Sequence, residues 1–264
     1  MKPPQPSHRT RRKIHLVRLS PAAQPPDIHQ LNYRAANPYH TWLNTLCAGA
    51  AFACLAFVID AALSFAWLSA RMQGVPRQPT MRFVYPFALL GIAAFRWVAV
   101  WLLTTEDPSP HPTRRIRAWS LRLLVTASVL IVFLYVLRFL DEWRFRTSNV
   151  MLALYTIELL TTILFWMHLR WVGAKFDLRG SRWRAIVAMV GMSATLALLY
   201  IAPRAWPTLR QNLGVSAFQW QNARWSMTVL WAVVSALVAL RFALGFANEV
   251  RQDVKSTASA ITVR

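Results

Sequence analysis

Six long apolar stretches, separated by short polar segments, dominate the chain. They cover residues 43–69, 83–104, 119–140, 150–170, 186–202 and 225–247. The hydrocarbon core of a bilayer is about 30 Å thick and takes roughly 20 helical residues to cross. Because lipid offers backbone polar groups no partner, and none of these stretches alternates like a barrel strand, each is predicted to be a helix. The predicted fold class is therefore an all-α integral membrane protein with six transmembrane helices in a bundle and short loops.

The segments outside the apolar stretches are too short to form a second domain. Residues 1–41 make a basic, proline-rich arm, residues 42–247 hold the bundle, and residues 248–264 make a short polar tail. Independent domains usually need about 50 residues or more. Any chemistry is therefore expected within the bundle or at its rim.

Positive charge is distributed unevenly among the connecting segments. With the N-terminus inside, 18 of the 30 Lys and Arg residues lie on the inner side and eight on the outer side. The positive-inside rule then predicts both termini on the cytoplasmic side, or on the matrix or stromal side of an organelle. An even number of spans agrees with this topology. A bacterial inner membrane is the predicted location, and an organellar inner membrane is the alternative.

The net charge of +20 has a membrane explanation. Insertion topology and attraction to anionic lipid account for clusters of Lys and Arg beside membrane spans. The predicted partner is therefore the lipid bilayer, with anionic lipids at the inner face. Nucleic acid is not predicted as a partner.

The arm at residues 1–41 has three interpretations. It contains seven prolines and many basic residues, and Asp27 is its one acid. A polybasic tail on anionic lipid, an organellar transit peptide and an extended peptide that docks along a partner subunit all fit this composition. The sequence leaves all three open.

Asp60 is the clearest ionisable residue at membrane depth. On a helix it shares one face with small residues, which are Gly49, Ala53, Ala56 and Ser64. Small-residue stripes allow membrane helices to approach closely, so Asp60 is predicted to face the bundle interior. It is either a proton or cation site, or one member of an ion pair that fixes the register of the helices.

Glu158 and Arg138 are the predicted neighbours of Asp60. Glu158 lies near the middle of the fourth stretch, and Arg138 lies near the outer end of the third. One arginine between two carboxylates would leave a net charge near −1 unless one acid is protonated. We therefore predict a buried cluster of Asp60, Arg138 and Glu158 as a possible proton or cation site.

Arg96 and Arg241 are predicted to serve a different purpose. Both lie in the inner half of their spans, in the second and sixth stretches. Arg241 is close enough to the inner end for its side chain to reach the headgroups. We expect the two arginines to contact anionic lipid, or an anionic ligand between them.

Motifs for cofactors, metals and catalysis are not found in the spans. His168 is the one histidine within a span and is expected near the interface, so a haem held by two histidines is not predicted. A zinc-binding H-E-x-x-H pair is also lacking. Cys47 and Cys54 lie about 10 Å apart along one helix, too far to form a disulfide. No cofactor, metal ligand or catalytic residue is predicted.

These observations favour a non-catalytic role. The predicted function is that of a polytopic subunit of a larger membrane protein assembly, with other membrane subunits as partners. Few helix breakers interrupt the spans, and the basic arm is suited to docking. The alternative is a small transporter or channel for protons, cations or a small solute that uses Asp60 and Glu158.

Overall fold

The computed structural model describes residues 38–72, 79–106, 112–141, 147–178, 180–206 and 208–262. The chain divides into two units, Met1–Asn37 and Pro38–Arg264. The three interpretations of the arm concern the first unit and lie outside the described residues. Within the described ranges, the regular structure is helical and contains no strand.

Eight α-helices and one π-helical segment follow one another along the described parts of the chain. They are α1 (Pro38–Met72), α2 (Pro79–Leu103), α3 (Pro112–Asp141), α4 (Thr147–Lys175), α5 (Ser181–Thr195), the π-helical segment Leu196–Ile201, α6 (Ala202–Ala205), α7 (Leu209–Asn212) and α8 (Ala217–Thr262). Helices α1, α2 and α3 each begin at a proline. Proline suits the first position of a helix because its φ angle is already helical and its missing N–H would have no partner there.

Six of the helical stretches are long and apolar enough to cross a membrane, which confirms the predicted number. They are Tyr39–Ala70, Pro86–Leu103, Arg115–Leu137, Val150–Lys175, Ser181–Ala205 and Ala217–Gln252. Six apolar helices of this length indicate a multi-pass membrane protein.

The predicted polar tail at residues 248–264 is largely helical, because α8 continues to Thr262. The segment contains neither glycine nor proline. Its loss of apolar character therefore ends the membrane span without ending the helix. At 1.5 Å per residue, the 46 residues of α8 extend about 69 Å.

The long helices pack against their neighbours in sequence and close into a ring. Helix α1 contacts α2, α2 contacts α3, α3 contacts α4 and α4 contacts α5, while α8 packs on α5 and most extensively on α1. The ring of helices has two ends. The one that contains the start of α1 and the last residues of α4 is called the terminal end. The opposite end, where α1 ends and α4 begins, is the distal end.

Small residues bring α1 close to its neighbours. The predicted stripe of Gly49, Ala53, Ala56 and Ser64 is buried. A side chain added at Gly49 would come within 2.8 Å of Leu103 Cγ on α2. On α8, Ala239 is fully buried. Close approach through small residues is how membrane helices gain van der Waals contact, because lipid supplies little hydrophobic drive for their association.

Large aromatic side chains fill the space between α1 and α4. The rings of Phe57 and Trp166 stack with centroids 5.8 Å apart, and Phe165 meets Trp166 edge-on at 5.1 Å. We call these three residues the aromatic core. All three are at most 7% exposed, and Leu46 and Leu103, which belong to the same buried cluster, are fully buried.

The fifth span contains a π-helical segment that was not predicted from the sequence. It passes from α5 through the π-helical segment Leu196–Ile201 into α6, which contains Pro203. Proline removes one backbone hydrogen bond and its ring crowds the carbonyl four residues earlier, so a wider turn before it relieves the clash. The segment carries Tyr200, which is 7% exposed, into the bundle.

Candidate functional site

Arg96 on α2 lies between two carboxylates from different helices. Its Nη2 donates to Asp60 Oδ2 on α1 at 3.0 Å, and its Nη1 donates to Glu158 Oε2 on α4 at 2.8 Å. Both contacts are ion pairs. The planar guanidinium fork can direct two N–H groups to two acceptors, which the single ammonium of lysine does less well.

A serine from α3 adds a fourth helix to this group. Ser128 is 2% exposed, and its hydroxyl donates to Glu158 Oε1. We call Asp60, Arg96, Ser128 and Glu158 the charge cluster. Its hydrogen bonds connect α1, α2, α3 and α4, so the cluster fixes the rotation and relative height of four membrane helices.

The charge cluster is enclosed and has one more acid than base. The side chains of Arg96, Asp60 and Glu158 are 24%, 17% and 16% exposed. With both acids ionised, its formal charge is −1, and one proton held on either carboxyl would neutralise it. In the described ranges, Arg96 Nε and the hydroxyl of Thr161 are buried without a hydrogen-bond partner.

The aromatic core lies directly on the terminal side of the charge cluster. The Arg96 guanidinium carbon is 5.7 Å from the centre of the Phe57 ring, a distance at which a cation and an aromatic face attract each other. Phe57 is three residues before Asp60 on α1, and Phe165 is seven residues after Glu158 on α4. The charge cluster is therefore closed by packed rings toward the terminal end.

The structure brings Asp60 and Glu158 together, but with Arg96 between them instead of Arg138. The side chain of Arg138 lies outside the described residues. Its backbone is ten residues beyond Ser128 on α3, which corresponds to about 15 Å along the helix axis. The ion pairs of Arg96 show that it occupies the position between the two carboxylates, where Arg138 was predicted.

Arg96 and Arg241 also differ from each other in their surroundings. The two carboxylates take the place of the anionic lipid or ligand expected at Arg96. Arg241 is exposed and lines a cavity between the start of α5 and α8. Arg96 and Arg241 therefore lie at two separate sites and do not share one anion, as one of the predicted alternatives required.

Toward the distal end, the charge cluster is followed by a second polar group. The rings of Tyr155 on α4 and Tyr200 are 4.8 Å apart, and Tyr200 Oη lies 2.8 Å from Thr228 Oγ1 on α8. The guanidinium of Arg204 lies over Tyr155 at 4.7 Å, and that of Arg224 lies over Tyr200 at 4.1 Å. We call these five residues the tyrosine–arginine cluster.

The tyrosine–arginine cluster was not predicted from the sequence. One signal was available, since Tyr155 precedes Glu158 by three residues and so shares its helix face. The other members come from the region around Pro203 and from the start of α8, and no spacing in the sequence relates them to Tyr155.

Two residues that the sequence places within spans bind the C-terminal end of α2. His168 is 1% exposed, and its Nε2 lies 3.0 Å from the carbonyl oxygen of Leu103, to which it donates. Arg122 donates from Nη2 to the carbonyl oxygen of Thr104 and from Nε to its hydroxyl, each at 2.7 Å. The last carbonyls of a helix have no partner within the helix, so these side chains satisfy them inside the bundle. His168 is thus buried rather than interfacial.

No group of three or more potential metal ligands occurs among the residues that the structure describes. Cys47 and Cys54 are free thiols. Comparisons with protein-family models, with curated proteins and with solved structures found no match to this chain.

Proposed function

We propose that the protein is a non-catalytic, multi-pass subunit of a larger membrane assembly. The observation that supports this most directly is the internal pairing of the charge cluster. Each charged group in the cluster has a partner from another helix, and these contacts connect four helices. A polar group satisfied in this way specifies which helices are neighbours.

The packing next to the charge cluster favours the same proposal. A route for protons or cations needs water or polar side chains that are continuous between the two membrane faces. Toward the terminal end, the centre of the bundle is instead filled by the aromatic core and by Leu46 and Leu103. Close-packed side chains of this kind leave little room for water.

The length of α8 supports a role in assembly. The helix extends about 69 Å, more than twice the roughly 30 Å thickness of the hydrocarbon core. At the terminal end it continues as a polar helix after the apolar residues are exhausted. In this proposal that extension and the arm at residues 1–41 are the docking elements for partner subunits. Both lie on the cytoplasmic side of a bacterial inner membrane.

Removal of Met1–Pro26 tests the docking role of the arm. We expect the truncated protein to insert its six spans but to separate from its complex on a native gel in mild detergent, even at low salt. A matched variant that only neutralises the basic residues of the arm should lose less, since each contributes only about 1 kcal/mol at a lipid surface. Its substitutions are Arg9→Gln, Arg11→Gln, Arg12→Gln and Lys13→Gln. Co-migration of the truncated protein with its partners would contradict docking by the arm.

A second candidate function is the transport of protons or a small cation. It is favoured by the formal charge of −1 and by the polar side chains of the tyrosine–arginine cluster on the distal side of the charge cluster. In proteoliposomes with an internal pH dye, Glu158→Gln would abolish proton flux in a transporter. Glu106→Gln is the control, because Glu106 is exposed at the end of α2. The subunit proposal expects no flux from the wild-type protein alone, so flux sensitive only to Glu158 would replace it.

The orientation of the bundle can be measured independently of its function. In a background without Cys47 and Cys54, an impermeant thiol reagent added to intact cells should label Asn212→Cys at the distal end. It should not label Arg182→Cys at the terminal end. Both positions are exposed. Labelling of Arg182→Cys alone would reverse the proposed orientation.

A further inference from the structure

A cavity of about 210 Å³ opens between the start of α5 and the C-terminal half of α8. Its polar wall contains Arg184 on α5 and Arg241 and Asn248 on α8, and its apolar wall includes Val238, Phe242 and Leu178. The cavity is at the terminal end, well away from the charge cluster. Its residues are therefore separate from those that support the proposed subunit function.

Two arginines in this cavity have no acidic partner among the residues that the structure describes. Within the described ranges, both ion pairs belong to Arg96, and neither Arg184 nor Arg241 forms one. Both residues are exposed. Two positive charges on facing helices repel each other unless an anion lies between them.

The backbone at the start of α5 adds to the positive potential. Gly180 precedes the helix with a φ of 71°, and the helix has no side-chain cap. The Ser181 N–H donates to the carbonyl oxygen of Leu178, so the N–H groups that lack a partner within the helix are those of the residues that follow it in the first turn. The helix dipole places partial positive charge there. Ser181, which also lines the cavity, has a buried hydroxyl that lacks a hydrogen-bond partner in the described ranges. Phosphate groups bind readily at such helix starts.

The apolar wall distinguishes the expected ligand from a simple anion. Along α8, Arg241 and Asn248 are seven residues apart, so the lining extends about 10 Å along the helix axis. Val238 continues it into the apolar part of the span, and Phe242 lies next to Arg241. A ligand that fills both parts has a phosphate at one end and a hydrocarbon chain at the other.

We propose that this cavity binds the phosphate headgroup of an anionic phospholipid. The side chains of Arg184 and Arg241 and the backbone N–H groups in the first turn of α5 contact the phosphate, and the apolar wall contacts the first part of an acyl chain. Basic cavities between membrane helices are known to bind such headgroups. Inorganic phosphate shares the headgroup chemistry but makes no use of the apolar wall.

Native mass spectrometry of the full chain in mild detergent tests this site. Added phosphatidylglycerol should bind in a one-to-one complex that phosphatidylcholine does not form at the same concentration. Arg184→Gln and Arg241→Gln should each weaken phosphatidylglycerol binding about fivefold, and the double variant about 30-fold. Arg182→Gln is the matched control, since Arg182 is an exposed arginine in the same helical turn that does not line the cavity. Its lipid affinity should stay at the wild-type level.

Four results would overturn the proposal. One is equal loss of lipid in Arg182→Gln and in the double variant, and another is equal binding of the two phospholipids. The third is displacement of phosphatidylglycerol by millimolar inorganic phosphate, which would assign the cavity to a free anion. If the double variant does not fold, Arg241→Lys keeps the charge and should weaken lipid binding less than Arg241→Gln does. Wild-type affinity in both single glutamine variants would also contradict the site.

Discussion

The two halves of the bundle interior are held together by different forces. On the terminal side, stacked rings and buried aliphatic side chains fill the space between α1 and α4, with Trp166 at 1% exposure, while His168 and Arg122 bind the last carbonyls of α2. On the distal side, the charge cluster and the tyrosine–arginine cluster connect the helices through ion pairs, hydrogen bonds and cation–ring contacts.

This contrast shows that stability and the choice of one helix arrangement can come from different parts of a membrane protein. Lipid tails are as apolar as leucine, so the apolar half gains its stability from close contact and not from the exclusion of water. Apolar surfaces of similar shape are also interchangeable. The polar half excludes other packing arrangements of the helices, because each of them would leave a charge unpaired in a medium without water.

The largest effect is expected from removing the cation of the charge cluster. Arg96→Met leaves two carboxylates unpaired and should lower the free energy of unfolding by about 3–5 kcal/mol. Arg96→Lys retains the charge without the fork and should lose less. Denaturant titration in mild detergent micelles measures both variants. A loss below about 1 kcal/mol in Arg96→Met would mean that the polar half does not specify the fold.

Truncating the aromatic core should have a slightly smaller effect. Trp166→Ala leaves a cavity between α1 and α4 and should cost about 3 kcal/mol in the same titration. Trp183→Ala is the control, because Trp183 is 68% exposed and its removal should stay within about 0.5 kcal/mol of wild type. Equal losses in the two variants would show that the terminal half is not closely packed.

Alanine substitutions at two separate glycines test how closely the helices pack near the middle of the bundle. At Gly191 on α5, a Cβ atom would come within 2.2 Å of the Trp231 ring on α8. Gly191→Ala should therefore cost about 2 kcal/mol as the ring is displaced. Gly91 on α2 has no atom within 4 Å of the corresponding position, and Gly91→Ala should gain up to about 1 kcal/mol from helix propensity. Thermal melting in detergent compares the two, and equal midpoints would refute the close contact at Trp231.

The smallest effect is expected in the tyrosine–arginine cluster. Tyr200→Phe removes the hydrogen bond to Thr228 and keeps the ring contact with Tyr155. Hydrogen bonds between membrane helices contribute about 0.6 kcal/mol on average in double-mutant cycles. A cycle of Tyr200→Phe with Thr228→Ala should give a coupling energy of that size. A coupling near zero would mean that Arg224, whose guanidinium lies over the Tyr200 ring, and not the Tyr200–Thr228 hydrogen bond, connects α8 to this cluster.

Trp42 shows that the position of a tryptophan in the sequence does not determine whether it is buried. Its position near the start of the first apolar stretch is typical of an interfacial anchor, yet it is 3% exposed and packs 5.5 Å from the Phe176 ring. Tryptophan at a span end suits both a headgroup layer and the rim of a packed bundle. Burial of the residue depends on the helices beside it, which its position along the chain does not reveal.

The sequence by itself determined that the chain forms six membrane-length helices and that Asp60 and Glu158 are the acids to examine. Both conclusions follow from local physics, namely the length of an apolar stretch and the high cost of a charge in lipid. Only the tertiary structure decided that Arg96, and not Arg138, lies between them. That choice depends on the rotation and relative height of α1, α2, α3 and α4, which are set by the packing of glycine, serine and aromatic side chains across helices distant in sequence.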